Sequence, residues 1–104
     1  MVSQYGIIPR KVFADDEGIV PMAKHQKTLN LIFTNPVLGN IAWREIEKML
    51  MHYGAEISEG RGSRVRVALN GEKAVFHRPH PEKETDKGAV KSVREFLENA
   101  GVTP

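Results

Sequence analysis

Between Gly62 and Pro81 the chain reads GSRVRVALNGEKAVFHRPHP, with apolar and polar side chains alternating on both sides of Asn70-Gly71. A period of two marks a half-buried strand, and Asn-Gly between two such runs marks a two-residue hairpin turn. That turn sets Leu69 opposite Glu72, Val67 opposite Ala74 and Val65 opposite Phe76, with their apolar side chains directed to a core. The outward pairs are then Ala68 with Lys73, Arg66 with Val75, and Arg64 with His77. A slip of one residue would bury the cations and expose the apolar set, so burial selects this register.

Elsewhere the spacing is helical. KHQKTLNLIF places Leu29, Ile32 and Phe33 on one face, and the residue before Pro36 ends the run. Asn40 is the predicted N-cap of a helix over IAWREIEKMLMHY, with Trp43, Ile46, Leu50 and Tyr53 inward, Arg44, Glu45, Glu47 and Lys48 outward, and Gly54 as its stop. AEISE reads as a short strand and GRG as a link to the hairpin. A last helix, capped by Thr85 or Asp86, carries Val90, Val93, Phe96 and Leu97 as its apolar stripe and ends at Gly101. Helix, helix, three strands, helix predicts an α+β fold: a three-stranded antiparallel sheet with helices on one face and the other face open to solvent or a ligand. Residues 1–23 keep no period and hold Pro9, an acidic run at 15–17 and Pro21. They read as an N-terminal extension, with Met22 a possible internal start, ahead of a domain over residues 24–104.

The chain has 104 residues, suited to one modest core, and a net charge of +2, a bias that permits nucleic-acid binding without requiring it. Cysteine is absent, which excludes disulfides and zinc-thiolate sites. No apolar run reaches membrane-spanning length, and the first twenty residues lack a basic start followed by an apolar block. A soluble cytoplasmic protein is therefore expected.

The charge has a local pattern. Arg64, Arg66, Lys73 and His77 share the outward face of the hairpin. Lys87, Lys91 and Arg94 form a stripe on the last helix, and Lys87 lies in the first turn, where free N–H groups and the helix dipole favour anions. His80 and Lys83 precede that helix. The same pattern also fits a solvated face that protects a sheet edge. His77-x-x-His80 has Pro79 between its histidines and no evident third ligand, so no metal and no other cofactor is expected. His25, His52, Arg44 and Lys48 read as surface residues without a role.

From Lys24 to Pro104 the chain resembles HicA-type toxins, the small ribonuclease partners of HicB-type antitoxins. The resemblance rests on a helix ending at Gly54, then GSRVRV, the NG hairpin, His80-Pro81-Glu82-Lys83-Glu84, and KGAVKSVREFLENAGV. It implies a fold similar to a double-stranded-RNA-binding domain, mRNA as substrate, and a HicB-like antitoxin that covers the basic face or the 77–80 segment. It also implies phosphate contacts from Lys87, Lys91 and Arg94. HicA-type toxins usually carry a catalytic histidine after the glycine-serine pair. Here that position is Arg64, which cannot act as a base near neutral pH.

Metal-independent RNA cleavage requires a base for the 2′-OH, charge stabilisation at phosphorus and an acid for the leaving oxygen. Histidine suits the proton transfers and arginine the phosphate. The expected catalytic residues are His77 and His80, with Arg64, Arg66, Lys73, Lys83, Lys87, Lys91 and Arg94 as phosphate binders. A module that binds RNA or an antitoxin without cleaving, and a domain whose basic face meets an acidic protein, remain as alternatives.

Overall fold

The structure, a computed structural model, describes residues 21–104. The expected extension lies outside the described residues as far as residue 20, and its last three residues belong to a helix. In chain order the elements are α1 (Pro21–Ile32), β1 (Ile41–Ala42), α2 (Trp43–His52), β2 (Glu56–Glu59), β3 (Arg64–Leu69), β4 (Glu72–His77), β5 (Glu84–Thr85) and α3 (Lys87–Asn99). The fold is α+β. An antiparallel sheet in the order β2-β3-β4 carries α2 and α3 on one face, and α1 packs across both helices.

The hairpin has the register that its alternation dictates, with Arg64 paired to His77, Arg66 to Val75, and Leu69 to Glu72. Asn70 (φ +51°) and Gly71 (φ +86°) both occupy the left-handed region, as a two-residue turn matched to strand twist requires. Val65, Val67, Leu69 and Phe76 are buried beneath the helices. Each such side chain contributes about 1.5–3 kcal/mol on burial. Together they rival the whole stability of a small domain, about 5–15 kcal/mol, so a slipped register is not competitive. Phe76 anchors the centre, tilted against Trp43 at 5.9 Å and edge-on to Phe96 at 5.8 Å.

Two helix starts differ in how they are made. Asp86 caps α3, its Oδ1 accepting from the Ala89 N–H at 2.8 Å, while Thr85 is buried. For α2, the expected Asn40 cap is not used, and the N-cap is Ala42 without a side-chain bond. Ile41 and Ala42 instead pair with Thr85 and Glu84, and the Trp43 N–H donates to the Lys83 carbonyl at 3.1 Å. Backbone pairing thus satisfies the entry to α2 and moves its start inward from Asn40. At the other end, Tyr53 is the C-cap and Gly54 takes φ +104°, a left-handed exit suited to glycine.

The helix directions decide where the ends meet. Asn70 Nδ2–H donates to the Ala100 carbonyl at 2.8 Å, fastening the C-terminal end of α3 to the hairpin turn. The exit of α2 leads into β2, whose Glu56 pairs with Ala68 near the same turn. Both helix N-termini, and the β1–β5 pair ahead of them, therefore lie toward the end where β3 begins with Arg64 and β4 finishes with His77.

Candidate nucleic-acid interface

The uncovered face of the sheet is a small grid. Its rows are Glu56, Ala68 and Lys73; then Ser58, Arg66 and Val75; then Arg64 and His77. Arg64, Arg66, Lys73 and His77 are exposed, and Val75 is 54 % exposed. A shallow cleft of about 780 Å³ runs over the first two rows. Every cation of this face stands at an odd step from the core set, so the alternation that buries Val65, Val67 and Phe76 also displays the cations.

Arg64 and His77 occupy the closer of the two kinds of cross-strand position. The Arg78 N–H donates to the Ser63 carbonyl at 2.9 Å, which makes Ser63 and Arg78 the hydrogen-bonded pair. Arg64 and His77 then form the intervening non-hydrogen-bonded pair, in which Cα atoms approach to about 4.5 Å and side chains lie nearest. A guanidinium that donates in pairs and an imidazole that exchanges protons thus project together into solvent.

His80, Lys83, Lys87 and Lys91 are also exposed. The first two lie in the segment joining β4 to β5, and Lys87 opens α3. All three therefore gather toward the His77 end of the molecule, and Lys91 lies one turn along α3. The stem of Lys87 lies against Gly39, where a Cβ would come within 3.1 Å of its Cγ. Arg66 and Lys73 extend the basic face away from this end, toward the turn.

Arg94 is placed differently from its neighbours in the helix stripe. Its Nε–H donates to the Ile32 carbonyl at 3.0 Å, Nη1 to Asn35 Oδ1 at 3.1 Å and Nη2 to the Thr34 carbonyl at 2.8 Å, with its guanidinium 5.8 Å from the Phe33 ring centre. These bonds take up the Ile32 carbonyl at the end of α1 and two oxygens just beyond it, and dock that helix on α3.

Arg78 is one of the residues of the hairpin stretch that can be cationic, and nothing in the linear pattern marks its role. Strand alternation turns it to the helix side, where it bridges two carboxylates. Nε–H and Nη2–H donate to Glu47 of α2 at 2.7 and 3.3 Å, and Nη1–H and Nη2–H to Glu59 of β2 at 2.7 and 2.9 Å. Glu47 also accepts from the Trp43 indole N–H. The hydrogen bonds from Arg78 hold the Glu59 carboxyl below the usual carboxylate range, and the two carboxylates push the Arg78 guanidinium pKa further up. One cation thus ties both sheet edges to α2 directly beneath His77. A His25–His52 stack with ring centres 4.6 Å apart, joining α1 to α2, was likewise invisible in the helical pattern.

Among the described residues no group of three His, Cys, Asp or Glu side chains is arranged to hold a metal ion, and no helix is long and apolar enough to cross a membrane. The arrangement is suited to gripping an anion between guanidinium groups while imidazoles exchange protons beside it.

The model of the family described as "HicA toxin of bacterial toxin-antitoxin" matches residues 43–102, from the first residue of α2 to just beyond α3. The match takes in the hairpin, the His77–His80 segment and Lys87 to Arg94. No curated protein and no solved structure matches the chain.

Proposed function

Because the chain belongs to the HicA toxin family, and so is the toxin of a toxin–antitoxin pair with a cognate antitoxin, we propose that it binds mRNA across the basic sheet face and cleaves it without a metal. The observation that carries this reading is the Arg64–His77 pair, a phosphate binder and an acid/base group side by side at the nearest-approach position of an open strand pair. Arg64 holds the scissile phosphate and stabilises the charge that builds on it. His77 and His80 divide the proton transfers. One imidazole accepts the 2′-OH proton as the 2′-oxygen bonds to phosphorus. The other donates a proton to the 5′-oxygen as the P–O5′ bond breaks, leaving a 2′,3′-cyclic phosphate and a 5′-hydroxyl.

Arg66, Lys73, Lys83, Lys87 and Lys91 guide the RNA backbone, whereas Arg94 acts through its hold on α1. A HicB-like antitoxin neutralises the toxin by covering the basic face or the 77–80 segment. The test is RNA cleavage by purified His77→Ala and His80→Ala proteins whose folding is verified by circular dichroism. Loss of a positioned acid or base lowers the rate by about 10²–10⁴-fold. A His77→Ala protein that cleaves at the full rate refutes the assignment.

A second reading is favoured by Arg64 itself, which stands where the resemblance leads one to expect a histidine. In that reading the chain binds RNA or its antitoxin and does not cut. Intact protein that binds RNA with salt-sensitive affinity yet yields no cyclic-phosphate product decides for it.

A further inference from the structure

Beside the Arg64–His77 pair, Gly60, Arg61, Arg64, Arg66 and Val75 enclose a hollow of about 160 Å³. It is smaller than the cavities of about 300–1,000 Å³ that take whole small molecules. Its walls are three arginines, from the β2–β3 link and from alternate positions of β3. Among the described residues none of the three has a carboxylate within ion-pair distance. The contrast with the other well-placed arginines is sharp: Arg78 is satisfied by two carboxylates and Arg94 by three oxygens. Among the described residues, three guanidinium groups thus border one hollow with no carboxylate between them, an arrangement that favours an anion.

The hollow is also built in its backbone. Gly60 N–H donates to the Arg64 carbonyl at 2.9 Å, and Arg64 N–H to the Arg61 carbonyl at 3.0 Å, closing the link into a tight loop. A Cβ on Gly60 would lie 3.0 Å from the Cβ of Arg64, so the absence of a side chain there lets the loop close over the arginine. Arg66 is held in place by one bond, Nη1–H to the Glu59 carbonyl at 2.9 Å, and its other donors remain available. Val75 supplies an apolar wall.

Building on the RNA-binding reading, we propose that this hollow is a subsite for a second phosphate of the same RNA strand, adjacent to the phosphate held beside His77, with Arg61 as its third arm. Arg64 and Arg66 are two residues apart on one strand, about 7 Å, which suits successive groups of an extended polyanion. Among the described residues the open face offers no aromatic ring other than the His77 imidazole, which favours a grip on the phosphates over base stacking. Arg61 is therefore a positioning residue that sets affinity and not the chemistry.

The experiment uses full-length protein carrying His77→Ala, so that RNA stays intact, and a labelled single-stranded RNA of mixed sequence titrated over a range of NaCl concentrations. Adding Arg61→Ala is expected to weaken binding about 3–10-fold and to flatten the slope of log K against log salt by about 0.7, the value for one phosphate contact on a single strand. Adding Lys27→Ala, which removes one exposed charge from α1, changes neither. In protein with His77 intact, Arg61→Ala raises KM and leaves kcat unchanged. An unaltered affinity and slope overturn the subsite while leaving RNA binding standing, and so does weaker binding with an unaltered slope. Failure of the His77→Ala protein to bind any RNA, or binding of polyglutamate in its place, overturns both readings.

Discussion

The hairpin turn allows stability and register to be tested separately. Asn70 has two duties: it sits at φ +51°, and its Nδ2–H donates to the Ala100 carbonyl at the end of α3. Asn70→Gly removes the hydrogen bond, about 0.5–1.5 kcal/mol, while keeping a residue at ease in the left-handed region. Asn70→Ala removes the same bond but keeps the Cβ, whose clash with the backbone in this region costs about 1–2 kcal/mol that glycine escapes. Asn70→Ala should therefore be less stable than Asn70→Gly by about 1–2 kcal/mol. For a domain of this size that difference separates their Tm values by about 4–16 °C. Thermal and urea unfolding of the two variants beside the parent measure both quantities. RNA affinity well below Tm should remain that of the parent, because four buried side chains, and not the turn, hold Arg64 opposite His77. Equal stability of the alanine and glycine variants refutes the strain argument. A folded Asn70→Ala protein that no longer binds RNA, while the parent does, refutes the claim that burial sets the register.

Two further outcomes follow from contacts on the helix side. Arg78→Met strands the Glu47 carboxylate, whose side chain is only 17 % exposed, and should cost about 1–3 kcal/mol in urea unfolding, with Glu47→Gln in the same chain recovering part of the loss. Burial lowers the pKa of both His25 and His52; Lys24 and Lys48 reinforce the shift at His25, Glu45 opposes it, and the His25 charge adds to the shift at His52. The unfolded chain therefore binds more protons near pH 6.5. Stability is full above that pH and falls as pH drops below 6.5 toward the folded-state values, and His52→Phe should flatten this dependence in denaturation midpoints measured from pH 7.5 to 5.5.

The hairpin, α2 and α3 were legible because each rests on local signals: strict alternation, Asn-Gly, an apolar stripe, and glycine at an exit. The β1–β5 pair was not, since two residues cannot display a period and their partners lie far along the chain. Asn40 is a strong cap by type, yet pairing through Ile41 and Ala42 overrode it. The site divides in the same way. The neighbours Arg64 and His77 follow from register alone, but whether an arginine is free or occupied depends on distant partners. Arg94 reaches the end of α1, Arg78 reaches Glu47 and Glu59, and Arg61 meets Arg64 and Arg66 because the loop at Gly60 closes tightly. None of these leaves a mark in linear spacing.

The alternation of β3 and β4 separates what the fold requires from what the surface does. Val65, Val67, Leu69 and Phe76 carry the scaffold, while Arg64, Arg66, Lys73, Val75 and His77 project from the same strands without entering it. Exchanging arginine and histidine at position 64 therefore leaves every contact of the buried core intact. Core packing exerts no hold on that position, so its identity is free to answer to what the face must bind. A scaffold of this kind can change its chemistry one outward residue at a time, and the place to look for such drift is every second residue of these two strands.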